Sequence, residues 1–178
     1  DEHHKYASPV AARNLDNQVD DKALASLTES VRKQYANLCG RFYKLKAKWL
    51  GKEKIQYWDR NAPLPFSSDK HYTWDESVQI VLEAYQRFSP RLQELARPFF
   101  DSEHSWIDVP PRDGKRSGAF AMPMPQKYHP YLMLNFVGKQ NDVLTLAHEL
   151  GHGCHMRLSI TQGELNDDTP LTLAEVAS

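Results

Sequence analysis

From Leu24 the apolar positions run Leu24, Leu27, Val31, Tyr35, Leu38, Phe42, Leu45 and Trp49. Steps of three and four residues put them in one stripe of an α-helix. Asp20 is the expected N-cap and Gly51 the expected stop, and Lys44, Lys46 and Lys48 suit the negative end of the helix dipole. The stripe reads as the core face of a large helical protein rather than a coiled-coil seam. A second helix opens at Thr73-Trp74-Asp75-Glu76, a capping box, with the stripe Val78, Val81, Leu82, Tyr85 and Phe88. Ser89-Pro90 ends it and starts a third helix through Leu92, Leu95 and Phe99. Residues 59–69 hold two prolines and two serines and read as a linker between helices, not a domain boundary.

The period then changes. Trp106-Ile107-Asp108-Val109 is a short strand candidate stopped by Pro110-Pro111, and Arg112 to Lys115 is a turn. Ser117 to Met122 and Tyr131 to Val137 read as two further strands. Pro123 and Pro125 forbid a regular central strand after the first of these. Helical spacing returns with Val143, Leu144, Ala147 and Leu150, with Asn141 as the expected N-cap and Asp142 in the first turn.

On that last helix lies His148-Glu149-Leu150-Gly151-His152. At i and i+4, His148 and His152 share a face, one turn apart, the separation two ligands need to grip one zinc ion. Glu149 lies about 100° round the helix, placed to act on a metal-bound water without becoming a ligand. Gly151 and Gly153 are poor helix formers and point to close packing against a neighbour or the metal. A catalytic zinc needs a third protein ligand. His155 and Leu158 occupy the positions that a HExxHxxGxxH continuation would fill with Gly and His, which excludes that class. Glu164, Asp167 and Asp168 lie in a polar loop-like stretch. Glu175 instead follows Thr169-Pro170, an N-cap with proline at the first helical position, among Leu171, Leu173, Ala174, Val176 and Ala177. An ionised carboxylate in apolar surroundings is costly unless paired or metal-bound, so Glu175 is the expected third ligand. His155 is expected to line the cleft or pack beneath the site.

Composition places these residues in an ordinary soluble domain, with 40% hydrophobic and 25% charged residues. A formal net charge of -1 gives no electrostatic reason to expect nucleic acid or an anionic membrane surface. No apolar run reaches the length of a membrane span. Asp1-Glu2-His3-His4-Lys5 has no signal-peptide core, and Cys39 and Cys154 read as buried free thiols of a reducing compartment. The expected location is the cytoplasm.

Three strings carry a family resemblance: Gly114-Lys115-Arg116-Ser117-Gly118-Ala119-Phe120, Tyr131-Leu132-Met133-Leu134-Asn135-Phe136, and Leu144 through His155 with Leu173 to Ser178. They resemble the oligoendopeptidase F branch of the thimet-oligopeptidase-like zinc metallopeptidases. Residues 13–60 resemble it more loosely, through Arg13-Asn14-Leu15 and the helix ending at Leu50-Gly51. The resemblance implies a mostly helical endopeptidase that cleaves short peptides in a deep channel. It implies one zinc ion on His148, His152 and Glu175, with Glu149 as general base. It also implies a longer protein, with substrate-binding His and Tyr residues beyond Ser178.

The expected fold is therefore α+β and mainly α-helical, a glutamate-zincin catalytic region with a small sheet beside the HExxH helix. Residues 1–178 are expected to be part of one catalytic domain, with a helical scaffold over 1–105, small strands over 106–140 and zinc-binding helices over 141–178. Gly118-Ala119-Phe120 are candidates for an edge that holds an extended peptide by main-chain hydrogen bonds, or for a tight hairpin packed for structural reasons. The expected activity is zinc-dependent hydrolysis of oligopeptides. The alternative is an inactive zinc-stabilised fragment, whose closed site would recruit a fourth ligand from His155 or Cys154.

Overall fold

Helix α1 (Ala11–Asp16) and the 29-residue helix α2 (Asp21–Trp49) build the first part of the chain. Asp20 caps α2 as expected, its carboxylate accepting from the Lys22 N–H at 2.7 Å. The computed structural model describes residues 5–66, 70–101, 106–125 and 127–178. Within it the chain divides into two compact units, residues 1–69 and 70–178. The division falls at the stretch read above as a linker, whose Ser67 and Ser68 lie outside the described residues, as does the N-terminal string up to His4.

In the first unit Lys46 is buried rather than displayed to the α2 dipole. Its ammonium donates to the Arg60 carbonyl at 2.6 Å and so ties α2 to a 3-10 turn over Tyr57–Asn61. That turn is held in addition by a Lys52–Asp59 ion pair of 2.5 Å. The α2 stripe, expected as a core face, is exposed in the described structure at Leu27, Val31, Tyr35, Leu38 and Phe42. Cys39, expected to be buried, is exposed on the same helix.

The second unit opens with α3 (Trp74–Phe88). The Thr73 hydroxyl accepts from Glu76 N–H while the Glu76 carboxylate accepts from Thr73 N–H, the expected capping box. Ser89-Pro90 ends α3 and opens α4 (Pro90–Ala96). The expected third helix does not continue through Phe99. Pro98 has no N–H to extend it and instead begins α5 (Pro98–Asp101), which buries Phe99 completely.

Three short strands follow: β1 (Ile107–Asp108), β2 (Phe120–Met122) and β3 (Tyr131–Met133). They form a sheet in the order β1-β3-β2, with β1 parallel and β2 antiparallel to β3. Both apolar runs yield shorter strands than expected. Gly118, at φ 86°, breaks the extended run before β2, and Pro123 closes it. Past Met133 the chain still donates to the β1 side, from Leu134 N–H to the Asp108 carbonyl at 2.9 Å.

Helix α6 (Gln140–Ser159) crosses this sheet. Its N-cap lies two residues earlier than expected, at Lys139 rather than Asn141. The Asp142 carboxylate accepts from both Val137 N–H and Lys139 N–H at 2.9 Å and so draws the preceding residues into the cap. The core gathers under α6: Phe99, Leu132, Leu134, Leu146, Leu150 and Cys154 are each almost wholly buried. Tyr85 anchors the helix from α3, its hydroxyl donating to the Ala147 carbonyl at 2.6 Å. Arg157 anchors its far end to the Leu95 carbonyl.

After α6 the chain turns through Gly163 into α7 (Leu171–Ala174) and a 3-10 turn over Glu175–Ala177. Thr169 does not cap this piece; Pro170 occupies the cap position with no side-chain bond. No helix of the described residues is long and apolar enough to cross a membrane.

Candidate active site

The two histidines leave α6 on one face, with their Nε2 atoms 3.2 Å apart and their rings edge to face. The Glu175 Oε2 lies 3.5 Å from the His148 Nε2 and 3.6 Å from the His152 Nε2. Among the described residues these three form the one cluster of His, Cys, Asp or Glu able to share a metal ion. A tetrahedral zinc with bonds of ~2.0–2.1 Å holds its ligands about 3.3 Å apart. The triangle of 3.2, 3.5 and 3.6 Å is one face of such a tetrahedron. The donor set of two imidazoles and one carboxylate fits zinc and leaves a fourth position open. His155 lines the neighbouring cavity and stays outside the cluster, as does the buried Cys154.

Glu175 reaches this position differently from the expectation. It sits on the 3-10 turn, not inside an apolar helix, and its side chain is 62% exposed. Leu171, Leu173 and Val176 around it are exposed as well, so an apolar surround does not force the carboxylate onto a partner. Its partner is local. The Ser178 hydroxyl donates to Oε2 at 2.7 Å, and this bond, ahead of the two histidines, draws the carboxyl below its ordinary pKa.

Glu149 is buried between helix and sheet, with 7% of its surface exposed. Burial pushes its carboxyl above the ordinary range. His148 and His152 pull it back, as does a hydrogen bond from the Ala121 main-chain N–H. The backbone bonding of β3 fixes the orientation of β2. Leu132 and Leu134 donate to the Trp106 and Asp108 carbonyls on the β1 side. Tyr131 and Met133 therefore face β2, opposite Met122 and Phe120. Ala121 between them turns its N–H and C=O to the free edge, where Glu149 accepts the N–H. The Phe120 main-chain groups turn toward β3 instead. Gly118 turns away from extended geometry, and its carbonyl accepts from the Asn135 side-chain amide at 2.8 Å. Gly118 and Ala119 border a cavity of about 570 Å³ that also reaches His148 and Glu149. A second cavity, of about 460 Å³, lies past His152 and is bordered by Pro123, Met124, Pro125 and His155.

Residues 2–178 match Peptidase family M3. The chain belongs to this family. The M3 chain is 30% identical over 174 residues to the chromosomal oligoendopeptidase F of Lactococcus lactis subsp. cremoris, covering 97% of this chain and 28% of that protein. It is 27% identical over 152 residues to the oligopeptidase PepF of Bacillus subtilis, covering 85% and 22%. A solved putative oligoendopeptidase F from Bacillus anthracis shares the fold with a TM-score of 0.84 at 20% identity, over 99% of this chain and 33% of that one. A putative peptidase from Chlamydophila abortus does so with a TM-score of 0.75 at 26% identity, over 99% and 29%. The chain thus spans about a third or less of the length of these relatives.

Two groups that support the candidate site carry almost no signal in the sequence pattern. The Ala121 amide carries no side-chain signal, and only the pairing of β2 with β3 reveals its direction. Asn135 donates to the Arg116 and Gly118 carbonyls at 2.9 and 2.8 Å and braces the loop entering β2. Its one visible trace was an amide-bearing residue inside an otherwise apolar run.

Proposed function

We propose that this chain carries the metal-binding half of the active site of a zinc-dependent oligoendopeptidase, with short peptides as substrates. His148, His152 and Glu175 hold one zinc ion, and Glu149 is the general base. The observation that carries this reading is the ligand triangle with the buried Glu149 beside it. The relatives' printed names, oligoendopeptidase F and oligopeptidase, supply the substrate class.

The bound zinc supplies Lewis acidity, lowering the pKa of a water and polarising the scissile carbonyl. Glu149 accepts a proton from the attacking water and passes it to the leaving amine. Its raised proton affinity suits both halves of that task. The substrate main chain lies along the open edge of β2. Of the candidates Gly118, Ala119 and Phe120, Ala119 makes the main-chain contact, together with the Ala121 carbonyl. Gly118 and Phe120 then shape the entrance. The two compact units act as parts of one catalytic domain located in the cytoplasm.

In the intact protein, Glu149→Gln is expected to keep one zinc per chain and to lose ~10²–10⁴-fold in turnover of a quenched peptide. A variant with wild-type turnover would remove Glu149 from the mechanism. Wild-type protein with zinc but no peptide hydrolysis would favour a structural role for the metal.

A further inference from the structure

Gly151 lies between the two histidine ligands on α6, is wholly backbone, and is buried. A Cβ placed on it would overlap the backbone oxygen of Ala177 and come within 3.0 Å of the Ala177 carbonyl carbon and 3.1 Å of the Ser178 Cα. The obstacle is main chain, which cannot rotate aside as a side chain does. Gly153 on the same helix differs, because its Cβ would meet the ring of Phe99 in the core. A helix-interior glycine destabilises the helix relative to alanine. At position 151 that cost admits the turn bearing Glu175 to direct contact with the α6 backbone.

Leu171, Leu173 and Val176 are exposed, and no side chain caps α7. The contact at Gly151 therefore sets the height of the Glu175 carboxylate above the histidine pair. We infer that Gly151 is a positioning residue of the metal site, the seat on which the Glu175–Ala177 turn docks before any ion binds. The inference rests on the metal site proposed above and adds how its third ligand is placed.

The test is a double-mutant cycle on the zinc dissociation constant of the intact protein, measured by chelator competition. Gly151→Ala lifts the turn and is expected to weaken zinc ~10–100-fold, the range seen when support of a ligand is lost. In a Glu175→Ala background the same substitution is expected to change zinc affinity less than about twofold, because the ligand it misplaces is gone. Equal losses in both backgrounds would overturn the inference, since they would mark a general disturbance of α6. Failure of wild type to bind zinc would overturn the metal site itself and the inference with it. Amide exchange on zinc-free wild-type protein gives a second reading that needs no substitution. The amides of residues 173–178 are expected to be protected nearly as well without zinc as with it. Protection that arises only on adding zinc would show that the ion, not Gly151, places the turn.

Discussion

The proposed metal site joins two unlike pieces of chain. The α6 piece is long and anchored: Leu146 and Leu150 are fully buried, and Tyr85 and Arg157 hold its backbone carbonyl and its far end. The Glu175 piece is a 3-10 turn whose neighbours Leu173 and Val176 are exposed and whose backbone meets α6 at Gly151. The first piece fixes two ligands through a hydrophobic core that exists for other reasons. The second brings one ligand up through a turn whose backbone meets α6 at Gly151. Geometry among all three is nevertheless close to a tetrahedral face, so a small contact suffices when it is backbone against backbone.

The largest expected stability effect comes from breaking the anchored piece. Leu150→Ala leaves a cavity beneath α6 and is expected to cost ~2–5 kcal/mol in chemical denaturation of the intact protein. The matching truncation on the exposed piece, Leu173→Ala, is expected to fall within ~0.5 kcal/mol of wild type. A comparable loss at both positions would erase the contrast and show the Glu175 turn to be as deeply embedded as α6.

Most of the anchored piece was legible in the sequence. His148 and His152 at i and i+4 fixed their common face, and the Thr73 box and Ser89-Pro90 set helix boundaries to the residue. The start of α6 was misjudged because the Asp142 carboxylate reaches back to two N–H groups, which spacing does not reveal. Apolar neighbours in sequence point to Glu175, yet Leu171, Leu173 and Val176 are exposed and do not enclose its carboxylate. The residue nonetheless lies within reach of both histidines, through a docking contact that depends on tertiary structure. Packing at Gly151 was anticipated from its poor fit to a helix, but its neighbour was not. The α2 stripe shows the same limit from the other side: periodicity gave the helix and its cap, while cover of its apolar face depends on elements distant in sequence or outside the chain.

The smallest effect concerns the sheet beside α6. Asp108 on β1 takes a bidentate bond from Arg112 and a contact from Lys115, which hold its carboxyl down to about 2. A depressed folded pKa contributes stability above the unfolded value near 3.8, and that stability is lost as pH falls toward 2. Arg112→Ala is expected to flatten the pH dependence of stability between those values while leaving zinc affinity unchanged. An unchanged acid profile would show that the pair contributes nothing to folding.

The most direct test of the central claim is X-ray absorption at the zinc edge on the intact, zinc-loaded protein. Two imidazole nitrogens and oxygen ligands at ~2.0–2.2 Å, with no sulfur, are the expected shell. Loss of one oxygen donor in Glu175→Ala, with both imidazoles kept, is the expected change. A sulfur at about 2.3 Å, which would implicate Cys154, or a shell unaltered by that substitution, would contradict the site described here.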